Sequence, residues 1–180
     1  MFRSVKATNF DQFLRHQNFL AELQTIDTAD DLAKHDATFD IVPGLANPNF
    51  DAGFISFRAV NDNLGWFYLR HQDFRLKLQE RPPEPGFSGG EWSPELKLFN
   101  SDATFLMGQG IFDFLGLPNP DPNVVSFQAI LAFSPKDIRF IRHRDWHFFI
   151  DPPDANFAKD FMFTLEHPFI AEPPPIPPPE

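Results

Sequence analysis

The segment YLRHQDFRLKL, residues 68–78, decides the fold, because two closely related segments occur elsewhere in the chain. They are FLRHQNFLAEL at residues 13–23 and FIRHRDWHFFI at residues 140–150. Each places an arginine-histidine pair between two short apolar runs; the histidines are His16, His71 and His143. Such recurrence indicates an internal repeat, in which one supersecondary unit is copied along the chain.

Further landmarks accompany each histidine in the same order. Upstream lie FRSV, FRAV and FQAI, which begin at Phe2, Phe57 and Phe127. Downstream lie HDATF, SDATF and KDFMF, whose aspartates are Asp36, Asp102 and Asp160. The first two repeats then close with GLANP at Gly44 and GLPNP at Gly116. These landmarks predict three repeats, at about residues 1–50, 51–120 and 121–169.

Each repeat is expected to form short β-strands. After the second histidine, Phe74, Leu76 and Leu78 alternate with charged residues, which is the period of a strand with one buried face. Polar pairs separate the two apolar runs and are predicted to form hairpin turns. These pairs are Gln17-Asn18, Gln72-Asp73 and Arg144-Asp145. An opening strand, two hairpin arms and a closing strand at the DATF segment then give four strands per repeat.

Three such repeats predict an all-β fold, a β-trefoil with three four-stranded repeats and pseudo-threefold symmetry, in one domain at residues 1–169. Closing the sheet around an axis would bury the apolar faces and remove exposed strand edges. A short helix is expected only around Thr28 to Lys34. The Pro- and Gly-rich residues 79–95 are predicted to form a surface loop, and residues 170–180 an extended polyproline tail.

The net charge and the residue composition limit the classes of partner that the protein can bind. The formal net charge of -10 disfavours nucleic acid and anionic membranes, and it is compatible with a neutral ligand. The chain has no cysteine, so disulfides and thiolate chemistry are excluded, and its 24 phenylalanines supply much of the expected core. The first ten residues contain no apolar run of signal-peptide length. We therefore expect either a protein that stays inside the cell or one whose leader precedes this sequence.

The combination of LRH-x-N/D-F with DATF and VPGLANP resembles the arabinose-binding domain of α-L-arabinofuranosidase B, carbohydrate-binding module family 42. The resemblance extends over about residues 1–169. It implies a β-trefoil with up to three pockets, one per repeat. It also implies a non-catalytic domain that binds arabinofuranose side branches of hemicellulose such as arabinoxylan or arabinan.

The resemblance also implies the ligand-binding residues. A histidine and an aspartate contact the sugar in each repeat, which gives His16 with Asp36, His71 with Asp102, and His143 with Asp160. Tyr68 is the implied aromatic partner of the second pocket, whereas Phe13 and Phe140 replace this tyrosine in the other repeats. The first repeat has the spacing closest to the family, the second has the fullest set of side chains, and KDFMF departs furthest.

These residue types suit a sugar. An ionised carboxylate can accept two hydroxyl hydrogen bonds, and a neutral imidazole supplies one donor and one acceptor. An aromatic ring packs against the apolar C–H face of a furanose. The preceding arginines, Arg15, Arg70 and Arg142, are expected to point to the opposite face of the strand and to pair with acids.

The same repeats are compatible with a second function. The chain could be a protein-interaction or structural β-trefoil that has lost sugar binding while keeping the repeat. Nucleophile-elbow, P-loop and dinucleotide fingerprints are absent from the sequence, and no metal or cofactor is expected. A P-x-x-P segment at Pro174 to Pro177 is a candidate ligand for a proline-binding partner.

Overall fold

The computed structural model describes residues 1–61, 63–84, 92–118, 121–131 and 136–171. The strands are β1 (Phe2–Ala7), β2 (Phe13–Gln17), β3 (Leu20–Gln24), β4 (Phe39–Pro43), β5 (Phe54–Ala59), β6 (Phe67–Gln72), β7 (Arg75–Glu80), β8 (Phe105–Gly108), β9 (Val124–Ala129), β10 (Phe140–Arg144), β11 (His147–Asp151) and β12 (Phe163–Glu166). The helices are α1 (Asp31–Asp36), α2 (Pro94–Asp102) and α3 (Gly110–Leu115), with 3₁₀ helices at Phe50–Ala52 and Ala155–Phe161. None of these helices is long and apolar enough to be a candidate membrane span.

The three predicted hairpins are present as β2–β3, β6–β7 and β10–β11. Their two-residue turns lie one position later than predicted, because the second turn residue in each case is the aromatic that follows the polar pair. Both turn residues have positive φ, as in a type I′ turn. The turn residues are Asn18 and Phe19, Asp73 and Phe74, and Asp145 and Trp146.

Each hairpin tip is hydrogen-bonded to the next hairpin, so the three are linked in a ring. The carbonyl of the tip aromatic accepts a hydrogen bond from a backbone N–H in a neighbouring return arm. The pairs are Phe19 with Leu78 at 2.8 Å, Phe74 with Ile150 at 2.9 Å, and Trp146 with Leu23 at 2.9 Å. These bonds hold the three hairpins together at one end of the sheet.

The all-β class is confirmed, but the predicted β-trefoil of three four-stranded repeats is wrong. All twelve strands belong to one antiparallel sheet that closes into a barrel with extra strands, since β9 pairs with β10 and β7 pairs with both β3 and β11. Pairing crosses the repeat boundaries: β4 pairs along its whole length with β5, and β8 pairs along its whole length with β9. A strand at a repeat boundary satisfies its edge with the neighbouring repeat, so no repeat forms a sheet of its own.

Phenylalanine rings and aliphatic side chains together fill the interior of the barrel. Phe57 lies at its centre, with ring centroids 6.1 Å from Phe39, 5.9 Å from Phe105 and 5.2 Å from Phe127. All four rings are at most 1% exposed. Edge-on and tilted contacts of this kind add to the free energy gained by burying the rings.

The DATF aspartates were predicted to lie on closing strands. They lie instead on the helical turns that precede those strands. Asp36 ends α1, Asp102 ends α2, and Asp160 lies in the 3₁₀ helix Ala155–Phe161. The expected helix around Thr28 to Lys34 is present but begins later, at Asp31, where Asp30 caps it by accepting from the N–H of Ala33. Helix α2 begins inside the predicted loop at residues 79–95, and residues 85–91 lie outside the described ranges.

The opening strands align three residues away from the predicted register in the first repeat. Ser4, Ser56 and Ser126 are equivalent, because each is the buried third residue of its strand. Ser56 Oγ accepts from the N–H of Leu45, and Ser126 Oγ accepts from the N–H of Ile111. Gly44 is therefore equivalent to Gly110, and its predicted equivalence to Gly116 is wrong. The Pro174–Pro177 segment lies outside the described residues.

Candidate functional site

The fold places His16 Nε2 3.5 Å and His71 Nε2 3.7 Å from the aspartate of the same repeat, and in the third repeat Asn9 contacts both His143 and Asp160. The histidine lies near the end of β2, β6 or β10, and the aspartate lies on the helical turn that follows in the repeat. We call the resulting groups cluster 1 (Arg15, His16, Asp36), cluster 2 (Arg70, His71, Asp102) and cluster 3 (Arg142, His143, Asp160).

The sequence predicted that the arginines point away from these groups, and this prediction is wrong. Arg15 donates to Asp36 Oδ2 at 3.1 Å, while His16 Nε2 lies 3.5 Å from Oδ1 of the same carboxylate. The aspartate lies outside the strand, so residues from both faces of the strand can reach its two oxygens. The predicted pairing of the arginines with acids is correct, and the acids are the aspartates expected to bind sugar.

Cluster 1 is a closed polar network that includes a residue of the second repeat. Asn61, just after β5, donates through Nδ2 to Asp36 Oδ1 at 2.9 Å, and its Oδ1 lies 3.1 Å from His16 Nε2. An amide oxygen only accepts, so His16 carries its proton on Nε2. Arg15 also donates to Gln24 Oε1 at 3.0 Å, so each side chain of the network has at least one hydrogen-bond partner.

Cluster 2 lacks the asparagine. Arg70 donates to Asp102 Oδ2, but Leu131 occupies the position equivalent to Asn61, two residues after the opening strand. His71 Nε2 lies 3.7 Å from Asp102 Oδ1, beyond hydrogen-bonding distance. This cluster therefore has one amide fewer with which to orient its imidazole.

Cluster 3 restores the asparagine and adds a second carboxylate. Asn9, from the first repeat, lies with its Oδ1 3.1 Å from His143 Nε2 and donates to Asp160 Oδ1 at 3.4 Å. Arg142 donates to Asp160 Oδ2 at 3.2 Å and lies 3.5 Å from Asp151 Oδ2. Clusters 1 and 3 are thus built across the boundary between two repeats.

The three clusters differ in the accessibility of the aspartate, whereas their histidines are similarly buried. The side chain of Asp160 is 23% exposed, whereas those of Asp36 and Asp102 are 9% and 10% exposed. A cavity of 340 Å³ opens at cluster 3, and its lining includes Phe10, His143, Trp146, Phe157 and Asp160. Cluster 3 therefore combines an accessible carboxylate with a concave, partly aromatic surface.

Two aromatic rings approach the polar groups of this cavity closely. The Phe10 ring lies edge-on to the His143 ring with centroids 5.7 Å apart, and the Phe157 ring lies 4.2 Å from the Arg142 guanidinium. Both phenylalanines are nearly half exposed. They present apolar surface next to hydrogen-bonding groups, which is the usual composition of a small-ligand pocket.

Burial keeps the imidazoles neutral. Desolvation lowers the pKa of His16, His71 and His143, and for His71 the pKa falls to about 4. The neighbouring carboxylates raise the pKa of His16 and His143 less than burial lowers it, and the carbonyl of Ile130 does the same for His71. Desolvation also raises the pKa of Asp102, against the opposing effect of Arg70.

Tyr68 lies in a buried apolar group and not in the lining of the cluster 3 cavity. It is 4% exposed and packs with Phe99 and Ala103 in an apolar group of its own. Phe99 in turn lies 5.1 Å from the guanidinium carbon of Arg70. The tyrosine thus packs against the phenylalanine that contacts the arginine of cluster 2.

Sequence reasoning missed the asparagines and the aromatics of cluster 3. Asn9 and Asn61 stand two residues after equivalent alanines, Ala7 and Ala59, at the ends of their opening strands, a signal concealed by the shifted register. Phe10 follows Asn9 directly. A groove of 530 Å³ along Trp66 and residues 81–84 is larger than the cluster 3 cavity but contains no cluster residue. Among the described residues, no group of three or more His, Cys, Asp or Glu side chains is placed to hold a metal ion.

Comparison with known domain families matches residues 2–165 to the α-L-arabinofuranosidase B (ABFB) domain. The chain belongs to this family. The match extends over nearly the whole sequence of this AbfB domain, and it confirms the resemblance drawn from the repeated motifs. Curated protein sequences contain no match to the chain.

Solved structures share the fold of the AbfB domain. A GH54 α-L-arabinofuranosidase soaked with a cyclic sulfate inhibitor is similar with a TM-score of 0.68 and 22% identity, over 94% of this chain and 31% of that chain. An arabinofuranosidase complexed with arabinofuranosyl-α-1,2-xylobiose gives 0.67 and 22%, over 93% and 31%. An endo-β-galactosidase from Clostridium perfringens that releases GlcNAcα1-4Gal gives 0.55 and 11%, over 92% and 32%. The chain therefore spans less than a third of these proteins' length, and the likeness concerns fold alone.

Proposed function

We propose that this AbfB domain is a non-catalytic carbohydrate-binding domain that binds arabinofuranose side chains of hemicellulose through cluster 3. One observation carries the proposal: His143 and Asp160 line a 340 Å³ cavity whose walls include exposed aromatic rings. Family membership and the similar arabinofuranosidase complexed with arabinofuranosyl-xylobiose support an arabinose-containing glycan as the ligand class.

The chemistry of cluster 3 suits a furanose. Arg142 and Asn9 hold the Asp160 carboxylate in place and leave it partly exposed, so that it can accept from sugar hydroxyls without reorganising. Asn9 fixes the proton of His143 on Nε2, which leaves Nδ1 chemically an acceptor. Phe10 and Phe157 supply apolar surface for the C–H groups of the ring.

Binding, rather than catalysis, fits the state of these groups. Asp160 is already engaged as a hydrogen-bond acceptor by a guanidinium and an amide, which favours a fixed acceptor over a proton-transfer group. A single pentose offers few contacts, so we expect a dissociation constant on the order of millimolar. Such weak binding is useful when the domain acts together with others on one polymer.

Clusters 1 and 2 have a different role in this proposal. Their aspartates are held by arginines and are only 9% and 10% exposed, and cluster 2 has lost its asparagine. We assign them to the stability of the barrel. One working site, between the third and first repeats, then replaces the expected pocket in each repeat.

Titration with methyl α-L-arabinofuranoside, whose methyl group locks the five-membered ring, tests the proposal. Two-dimensional NMR should show saturable shifts, and Asp160→Asn should weaken binding about tenfold or more, because it removes a charged acceptor. Asp51→Asn, at an exposed position in the 3₁₀ helix Phe50–Ala52, makes the same charge change outside the clusters and should leave binding intact. A folded protein that shows no saturable response would point instead to a structural or protein-interaction domain.

A further inference from the structure

Aromatic residues occupy a strained position at all three hairpin tips. Phe19, Phe74 and Trp146 have φ of 62°, 63° and 65°. Left-handed backbone costs about 1–2 kcal/mol for a residue with a Cβ, and bulky side chains are rare there. All three rings are more than half exposed, so burial of the ring does not offset this strain.

Two of the three tip rings have a face covered by a neighbour. Phe19 stacks on Phe67, with centroids 5.8 Å apart and an angle of 27° between the rings. Phe74 lies under Arg139, whose guanidinium carbon is 4.3 Å from the ring centroid. Trp146 is the most exposed of the three at 59%, and its contact with Phe10 is tilted by 50° at 6.1 Å. Its indole is therefore the tip ring best placed to receive a ligand.

Trp146 also lines the cavity of cluster 3. At 340 Å³, this cavity falls within the range of about 300–1,000 Å³ that holds drug-sized ligands, which is more than one pentose requires. Asp145, the other residue of the turn, lines the same cavity, and its carboxylate can accept hydrogen bonds from sugar hydroxyls beside the indole. The space beyond His143 and Asp160 is thus bounded by an aromatic plane and a carboxylate.

We propose that Trp146 stacks against the pyranose to which the arabinofuranose is attached, so that the site recognises a branch point rather than a single pentose. This inference rests on the proposed function and adds the second sugar ring to it. A pyranose such as xylose presents a flat face of C–H groups, which matches the broad, exposed face of an indole. The hairpin turn holds that face rigidly beside the furanose position.

Two ligands and two variants test the proposal. The ligands are methyl α-L-arabinofuranoside and arabinofuranosyl-α-1,2-xylobiose, titrated by calorimetry or NMR. Trp146→Asn removes the ring at a position where asparagine tolerates positive φ, so the variant should fold. Phe74→Asn makes the equivalent change at a tip covered by Arg139 and serves as the matched control.

The original protein should bind the oligosaccharide more tightly than the monosaccharide. Trp146→Asn should weaken oligosaccharide binding about threefold to tenfold more than monosaccharide binding, and Phe74→Asn should leave both affinities unchanged. Equal affinities of the original protein for the two ligands, or equal losses for both in Trp146→Asn, would overturn the inference and leave the arabinofuranose site standing. No binding of either ligand would refute the proposed function, and this inference with it.

Discussion

The substitution Asp36→Asn should mainly reduce stability, whereas Asp160→Asn should mainly reduce sugar binding. Asp36 accepts from Arg15 at 3.1 and 3.4 Å and from Asn61 at 2.9 Å, and its side chain is 9% exposed. The asparagine amide removes the negative charge beside Arg15, whose side chain is 12% exposed, and turns one of the two acceptor oxygens into an NH₂ donor, while Gln24 remains an acceptor for Arg15. Breaking a buried pair on one side costs about 3–5 kcal/mol, and we expect about 3 kcal/mol because Gln24 remains.

Asp160→Asn should cost less. Arg142 keeps Asp151 at 3.5 Å and the face of Phe157 at 4.2 Å, and the Asp160 side chain is 23% exposed. A partly exposed pair contributes roughly 1 kcal/mol or less. The two variants should therefore differ by about 2 kcal/mol in their free energy of unfolding.

Urea denaturation measures this difference. With an m value of about 2 kcal/mol/M, Asp36→Asn should lower the midpoint by about 1.5 M and Asp160→Asn by about 0.5 M. The folded Asp36→Asn protein should bind methyl α-L-arabinofuranoside normally, whereas Asp160→Asn should not. Equal midpoint shifts, or a larger shift for Asp160→Asn, would refute the reasoning from burial.

Three further predictions concern acid, a turn and a buried hydroxyl. Lowering the pH from about 6.5 to 4 should reduce the urea midpoint, because the unfolded chain protonates more readily than buried His71, whose pKa falls from 6.5 to about 4 on folding. The shift at His71 alone would lower the free energy of unfolding by up to about 3 kcal/mol over this range. The raised pKa of Asp102 acts in the opposite direction and reduces this loss. A urea midpoint that rises towards pH 4 would contradict this prediction. Asn18→Ala should lower the free energy of unfolding by about 1 kcal/mol, since φ of 50° disfavours alanine, while Asn18→Gly should be nearly neutral; equal losses in denaturation would disprove the turn argument. Ser56→Ala should cost about 1–3 kcal/mol in the same assay, because it leaves the Leu45 N–H and the Ala103 carbonyl without their partner, and an unchanged midpoint would count against that role.

The hairpins and the histidine-aspartate pairs were predictable because their signals are local. Period-two alternation on either side of His71 defines two strand arms, and the order of the landmarks brings each histidine near the aspartate of its repeat. The turn position was off by one because nothing local favours an aromatic such as Phe74 at positive φ.

The pairing of strands and the composition of the clusters depend on closure of the sheet. Asn61 reaches His16, and Asn9 reaches His143, only because neighbouring repeats meet side by side. A single repeat does not contain this information. The short helices that carry Asp36 and Asp102 were missed or misplaced because six to nine residues give a weak periodic signal.

The difference in exposure among the three aspartates could not be predicted from the sequence either. KDFMF departs furthest from the family pattern, yet Asp160 is the most exposed of the three aspartates and borders a cavity. Exposure depends on what packs above each carboxylate, and the motif does not record it. The family motifs located the candidate residues, and the greater exposure of Asp160 is the reason we propose cluster 3 among them.

A crystal structure of the AbfB domain soaked with methyl α-L-arabinofuranoside tests the central claim most directly. We predict a furanose between His143 and Asp160, with hydroxyls within hydrogen-bonding distance of the carboxylate and with C–H groups against Phe10 or Phe157. A sugar found only in the Trp66 groove or only at cluster 1 or 2, with the cavity at cluster 3 empty, would contradict it.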